Sequence, residues 1–165
     1  MRPAPEISIQ RCAPPSADAA GGDTAQPWCE VLLHGRPTGR RLKGACLEAA
    51  LEADGRYLLM LTDDVPFEEF LTLVLLSPRM GVLDKASIGA CYNSGRFDGL
   101  TVLPGHRLQF HFLGDQAWQL QLLPEPALRP PWRTEPRGVW RRFGFRRHFV
   151  VSLVSTDADS AKRAG

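Results

Sequence analysis

The 165-residue sequence predicts a mainly β protein, an antiparallel meander folded into a sandwich or a partly open barrel, with at most one short helix near residues 44–53. Three observations carry this reading. Residues 107–123 alternate apolar and polar side chains on either side of a Gly114-Asp115-Gln116 break. Two short, nearly continuous apolar runs follow one another at 56–62 and 70–76. Turn signals recur about every ten residues, as in antiparallel sheets with short connections.

The first 27 residues are rich in Pro, Gly and Ala and read as a flexible arm, in which Ile7 and Ile9 offer the makings of a short edge strand. The run Glu30 to His34 ends at a Gly35-Arg36-Pro37 turn. Residues 40–53 satisfy two patterns. Leu47 and Leu51 are spaced for one face of a helix, whereas Leu47, Ala49 and Leu51 share a strand face. The Asp54-Gly55 pair, a strong hairpin signal, favours the strand.

Arg56 to Thr62 is the run expected of a central strand covered on both faces. Phe70 to Leu76 repeats it and ends at a Ser77-Pro78 turn. Val82 to Ile88 returns as a strand with Asp84 and Ser87 facing outward. Three glycines mark 89–99 as a loop, and Leu100 to Leu103 is a short strand before the Pro104-Gly105 turn. In the hairpin that follows, Leu108, Phe110, Phe112, Trp118, Leu120 and Leu122 form the dry face. Pro124 to Arg137 holds five prolines and reads as an extended crossing arm, not a central strand. From Gly138 to Val154 alternation resumes. Val139, Phe143, Phe145, Phe149, Val151 and Leu153 share a parity broken by Arg141 and Arg147, and arginines line the other parity. The domain thus spans 28–154, and 155–165 is a polar tail.

Net charge is only +2, but it is polarised. Between Gly44 and Glu69 seven acids face one base, and between Arg129 and His148 seven arginines face one acid. No apolar leader follows Met1-Arg2, and no apolar run is long enough to span a bilayer. Cys12, Cys29, Cys46 and Cys91 are widely spaced without a CxxC pair, which argues against a zinc ribbon and for free thiols in a reducing cytoplasm.

The candidate contact residues lie in three segments. Asp63, Asp64, Glu68 and Glu69 form an acidic edge whose spacing fits no calcium loop. Tyr92, Asn93 and Arg96 sit in the glycine-flanked loop. Arg137, Arg141, Arg142 and Arg146 are interleaved with aromatics, a pattern also suited to nucleic acid. With Arg147 these arginines offer five phosphate contacts, and binding through all five would weaken about 500-fold between 50 and 200 mM salt. The four histidines are scattered and no nucleophile elbow, HExxH or phosphate loop occurs. The sequence therefore implies no metal, no cofactor and no catalytic residue. It is read as a non-enzymatic, cytoplasmic, bacterial-type protein-binding module, of immunity or antitoxin type, that meets a partner such as a toxin or effector through charged edges. The alternatives are a nucleic-acid-binding domain and an enzyme whose site is assembled from separated residues. Monomer and homodimer remain equally compatible with the sequence.

Overall fold

Thirteen β-strands make up the regular structure of the described residues in the computed structural model, which describes residues 1–15, 27–64, 70–89, 95–114, 116–129 and 135–154. They are β1 (Arg2–Pro3), β2 (Ile7–Cys12), β3 (Trp28–Leu33), β4 (Arg36–Lys43), β5 (Cys46–Ala53), β6 (Arg56–Thr62) and β7 (Leu71–Leu76). Then come β8 (Val82–Ile88), β9 (Asp98–Leu103), β10 (Arg107–His111), β11 (Ala117–Leu128), β12 (Val139–Trp140) and β13 (Arg146–Leu153). Every pairing is antiparallel.

The strands form three sheets. A central sheet has the order β1-β5-β6-β7-β8-β12, a hairpin sheet has the order β13-β11-β10-β9, and an N-terminal sheet has the order β2-β3-β4. The central sheet is covered on both faces, and the parity of its residues shows how. Leu58, Met60, Leu71, Leu73 and Leu75 pack with Leu108, Phe110, Trp118, Leu120 and Phe149 of the hairpin sheet. Leu59, Leu61, Val74 and Leu76 point the other way, onto Ile7, Cys29, Val31 and Leu42 of the N-terminal sheet. Burial on both faces is the physical reason that Tyr57 to Leu61 of β6 and all of β7 but Thr72 are apolar, instead of every second residue. The protein is thus a β sandwich with a third, smaller layer, and none of its sheets closes into a barrel.

The hairpin at 107–123 folds as its alternation predicts. Leu108 lies opposite Leu120 and Phe110 opposite Trp118. The Trp118 indole N–H donates to the Phe112 carbonyl at 2.8 Å, which satisfies the one polar atom that this buried side chain carries. The Asp54-Gly55 hairpin follows from sequence, whereas the first turn sits at His34-Gly35 and not at Gly35-Arg36-Pro37, because Arg36 and Pro37 already pair in β4. Both turns adopt positive φ (51° and 72°, 52° and 73°), so each closes a two-residue hairpin whose twist matches its strands.

One open choice is settled as the sequence favoured, and three expectations need correction. Residues 46–53 are strand β5 and not a helix: Leu51 and Ala53 pack towards the hairpin sheet while Leu47 and Ala50 pack towards the N-terminal sheet, a two-sided burial that one helical stripe does not give. The start of the expected arm is part of the fold: the edge strand that Ile7 and Ile9 suggested is β2, which pairs along its whole length with β3 and buries Ile7; residues 16–26 lie outside the described residues. The proline-rich crossing arm begins as a continuation of β11 to Leu128, paired with Arg146 of β13 across a register shift. Pro124 and Pro126 are tolerated there because the Leu122 N–H, which donates to the His106 carbonyl, is the last to face β10, and that strand begins at Arg107. Finally, residues 138–154 do not form one long alternating face. The chain leaves the central sheet after β12, turns through 141–145, and enters the hairpin sheet as β13. The parity rule fails at that crossing. Arg147 and the Arg141 side chain are buried, while Phe143 and Phe145 are exposed.

Candidate functional site

The crossing from β12 to β13 is held by a buried ion pair. Arg141 Nη1 donates to Asp84 Oδ1 at 2.9 Å, with side-chain exposures of 3% and 5%. Asp84 shares its parity with Ala86 and Ile88, whose side chains are in the core, so it faces inward and not outward as its polarity suggests. Its second oxygen accepts the backbone N–H of His148 at 2.8 Å and, more weakly, that of Phe149 at 3.4 Å. Arg141 Nη2 donates to the Phe149 carbonyl at 3.1 Å, and the guanidinium lies 4.3 Å from the centre of the Phe149 ring. The two side chains therefore occupy the hydrogen-bonding positions along β13 that a neighbouring strand would take, and they sheathe that edge.

Glu135 completes the cluster. Arg141 Nε is 2.9 Å from Glu135 Oε1, but its N–H is not aligned with that oxygen, so the contact is ionic without being a hydrogen bond. Arg147 Nε lies 4.0 Å from the same oxygen. Burial pushes the Arg141 pKa down; Asp84 and then Glu135 oppose that shift, and Arg147 adds to it.

Around this clip the surface is aromatic and basic. Trp140 is 66% exposed and Phe143 79%, and Phe145 and Leu128 are exposed as well. Phe143 and Phe145 meet edge to face, with ring centres 5.5 Å apart at 82°. An open groove of about 440 Å³ is lined by Glu135, Val139, Trp140, Arg141, Arg142, Phe143 and Arg147. Arg137, Arg142 and Arg146 are exposed and form no ion pair among the described residues.

The sequence-derived contact residues separate into distinct environments. Arg142 and Arg146 stand beside the exposed aromatics, and Arg137 precedes them on the surface. Arg141 is turned inward and its charge is used within the fold. On the acidic side, Asp63 is buried at 4% exposure. It helps Lys85 hold its proton, against the burial that pushes the Lys85 pKa down. Asp64 is exposed and ion-paired to Arg11 at 3.0 Å. Others of the acidic stretch are also engaged: Glu52 with Arg2 at 2.9 Å, Asp54 with Arg56 at 3.2 Å, and Glu48 as acceptor from the Thr62 hydroxyl at 2.7 Å. Arg96 is exposed. Glu68, Glu69, Tyr92 and Asn93 lie outside the described residues.

Sequence reasoning missed the inward turn of Asp84, the part played by Glu135, and the exposure of Phe143 and Phe145. The available signal was the pair of arginines at apolar parity. A guanidinium on a buried face requires a buried carboxylate, and Asp84 is the acid of strand β8. Among the described residues no group of three or more His, Cys, Asp or Glu is arranged to hold a metal ion, and no helix is long and apolar enough to cross a membrane. Comparison of the chain with protein-family models, with curated proteins and with solved structures finds no match.

Proposed function

We propose that the protein is a non-enzymatic binding module that engages a partner protein through the surface made by Trp140, Phe143, Phe145 and Leu128 with Arg142 and Arg146. One observation carries this reading: three large aromatics are left in solvent on a segment that the Asp84–Arg141 clip holds firmly to the sandwich. Exposed aromatics and arginines at the centre of a patch are the residue types that dominate binding energy in protein interfaces. Scattered apolar side chains need no explanation on a surface, but three exposed aromatics within six residues, two of them in ring contact and two lining one groove, do. The more specific form of the proposal is an immunity or antitoxin-like protein that occludes a toxin or effector. Its support is the small size of the fold and its polarised charge, of the kind that accelerates association.

The test is co-expression with the product of the adjacent gene, comparing wild type with a Trp140→Ser/Phe143→Ser double variant. A complex whose dissociation constant rises at least about 30-fold in the variant, with the melting temperature unchanged, is the expected result; it corresponds to roughly 2 kcal/mol, the threshold of an interface hot spot. A variant that binds its partner like wild type overturns the assignment of this surface. If the partner is a toxin, the double variant also loses protection of growing cells.

A further inference from the structure

We infer that the occupant of this surface is an acidic polypeptide segment, with one of its carboxylates seated in the groove between Trp140 and Phe143. The inference rests on the binding role proposed above and adds the chemistry of the partner.

The argument is one of unmet charge. Among the described residues, three guanidinium groups line the groove, those of Arg141, Arg142 and Arg147, against the one carboxylate of Glu135. Asp84 approaches Arg141 from the core and brings the acids to two, which leaves one positive charge in excess even before Arg137 and Arg146 are counted. Among the described residues of the acidic half, Glu52, Asp54 and Asp64 are matched to Arg2, Arg56 and Arg11, away from the groove. Arg142 and Arg146 at the groove rim form no ion pair among the described residues, and the forked, planar guanidinium is suited to a carboxylate.

The apolar surroundings decide between a small anion and a chain. Phe145 and Leu128 extend the exposed apolar surface beyond the residues that line the groove, so a small anion would leave them uncovered. An acidic segment with apolar side chains on either side of the seated carboxylate covers both. Nucleic acid fits less well. The edge of one Phe143/Phe145 ring is set against the other, which removes a stacking face, and Leu128 offers aliphatic surface where a base platform would need a ring.

The experiment measures fluorescence anisotropy of three labelled probes at 50 and 200 mM salt. They are a peptide of alternating Glu and Leu, the same peptide with every Glu replaced by Gln, and a twenty-residue oligothymidine. Wild type is expected to bind the Glu peptide at least ten times more tightly than the Gln peptide, and Arg142→Glu and Trp140→Ala each to weaken that binding tenfold or more. Nitrogen-15 spectra are expected to show shifts of the Arg142 and Arg147 Nε–H signals on addition of the Glu peptide. Equal binding of the Glu and Gln peptides, with sensitivity to Trp140→Ala retained, overturns the acidic partner but leaves the protein-binding role standing. Failure of both peptides to bind overturns the two together. Tighter binding of the oligothymidine than of either peptide assigns the surface to nucleic acid instead.

Discussion

Arg141 and Asp84, 57 positions apart in sequence, meet at 2.9 Å inside the protein and join its two largest sheets where the chain passes from one to the other. A pair this deep contributes little net stability relative to apolar residues of the same shape, but breaking it leaves a charge in the core. Replacing Arg141 with Ala is therefore expected to destabilise the fold by about 3–5 kcal/mol. Chemical denaturation of Arg141→Ala, Asp84→Ala and the double variant measures it. A double variant much less damaged than the sum of the singles is the signature of the pair. A loss below about 1 kcal/mol for Arg141→Ala would place the pair with solvent-screened surface bridges.

Phe110 and Trp118 lie directly opposite each other in the hairpin and are fully buried. Truncating Phe110 to Ala removes ring contacts from both Trp118 and Phe97, whose ring centre is 5.8 Å away. A loss of about 3–5 kcal/mol is expected from equilibrium unfolding. A smaller loss would mean that the surrounding strands collapse into the space.

How much of this was legible in the sequence depends on whether one strand stays in one environment. The hairpin could be read because its residues alternate between water and core within a single pair of strands. The central strands could be read because two covering layers make nearly every position apolar. Residues 139–149 were misread because a two-residue β12 and a change of sheet reset the parity at each step, so that Phe143 took the face assigned to Phe149. Asp84 was misread because a lone carboxylate in a strand is conventionally placed outside. Only Arg141, remote in the chain, reveals that it is inside. The exposed aromatic surface was hidden by the same error, since hydropathy assigns aromatics to the core.

Gly44 links β4 of the N-terminal sheet to β5 of the central sheet. Its φ is 140°, and a Cβ built there would lie 2.8 Å from Leu61 Cβ. The neighbour is a backbone-attached atom of a fully buried strand residue and cannot swing away. Gly44→Ala therefore combines backbone strain with overpacking, and a loss of roughly 1–3 kcal/mol is expected in thermal or chemical melts. An unchanged melting point would show that the link between the two sheets yields freely.

Burial pushes the Cys29 thiol up to about 11, and the neighbouring Cys12 adds to the shift. At pH 8 the reactive thiolate is therefore scarce at Cys29, whereas Cys12 and Cys46 are only half-buried. In a Cys91→Ser background, a maleimide reagent is expected to label Cys12 and Cys46 first and Cys29 only as fast as the protein unfolds. Mass spectrometry of a time course resolves the order. Early labelling of Cys29 in the folded protein would contradict the packing of the N-terminal sheet.

His148 gives the fold a pH dependence whose sign follows from its position on β13. Burial lowers its pKa below the ordinary 6.5; Asp84 partly opposes this, and Arg56 and Arg146 reinforce it. The folded state thus disfavours the imidazolium, and the unfolded chain takes up a proton first as pH falls. The stabilisation is fully present above 6.5 and is lost on acidification through the lowered value. Unfolding free energies of wild type and His148→Gln, measured from pH 7.5 to 5, are expected to converge as pH falls, because only wild type carries this titration. Carboxylates common to both proteins cancel in that difference. A difference that stays flat over the range would mean that the imidazole is as well solvated in the sandwich as in the unfolded chain.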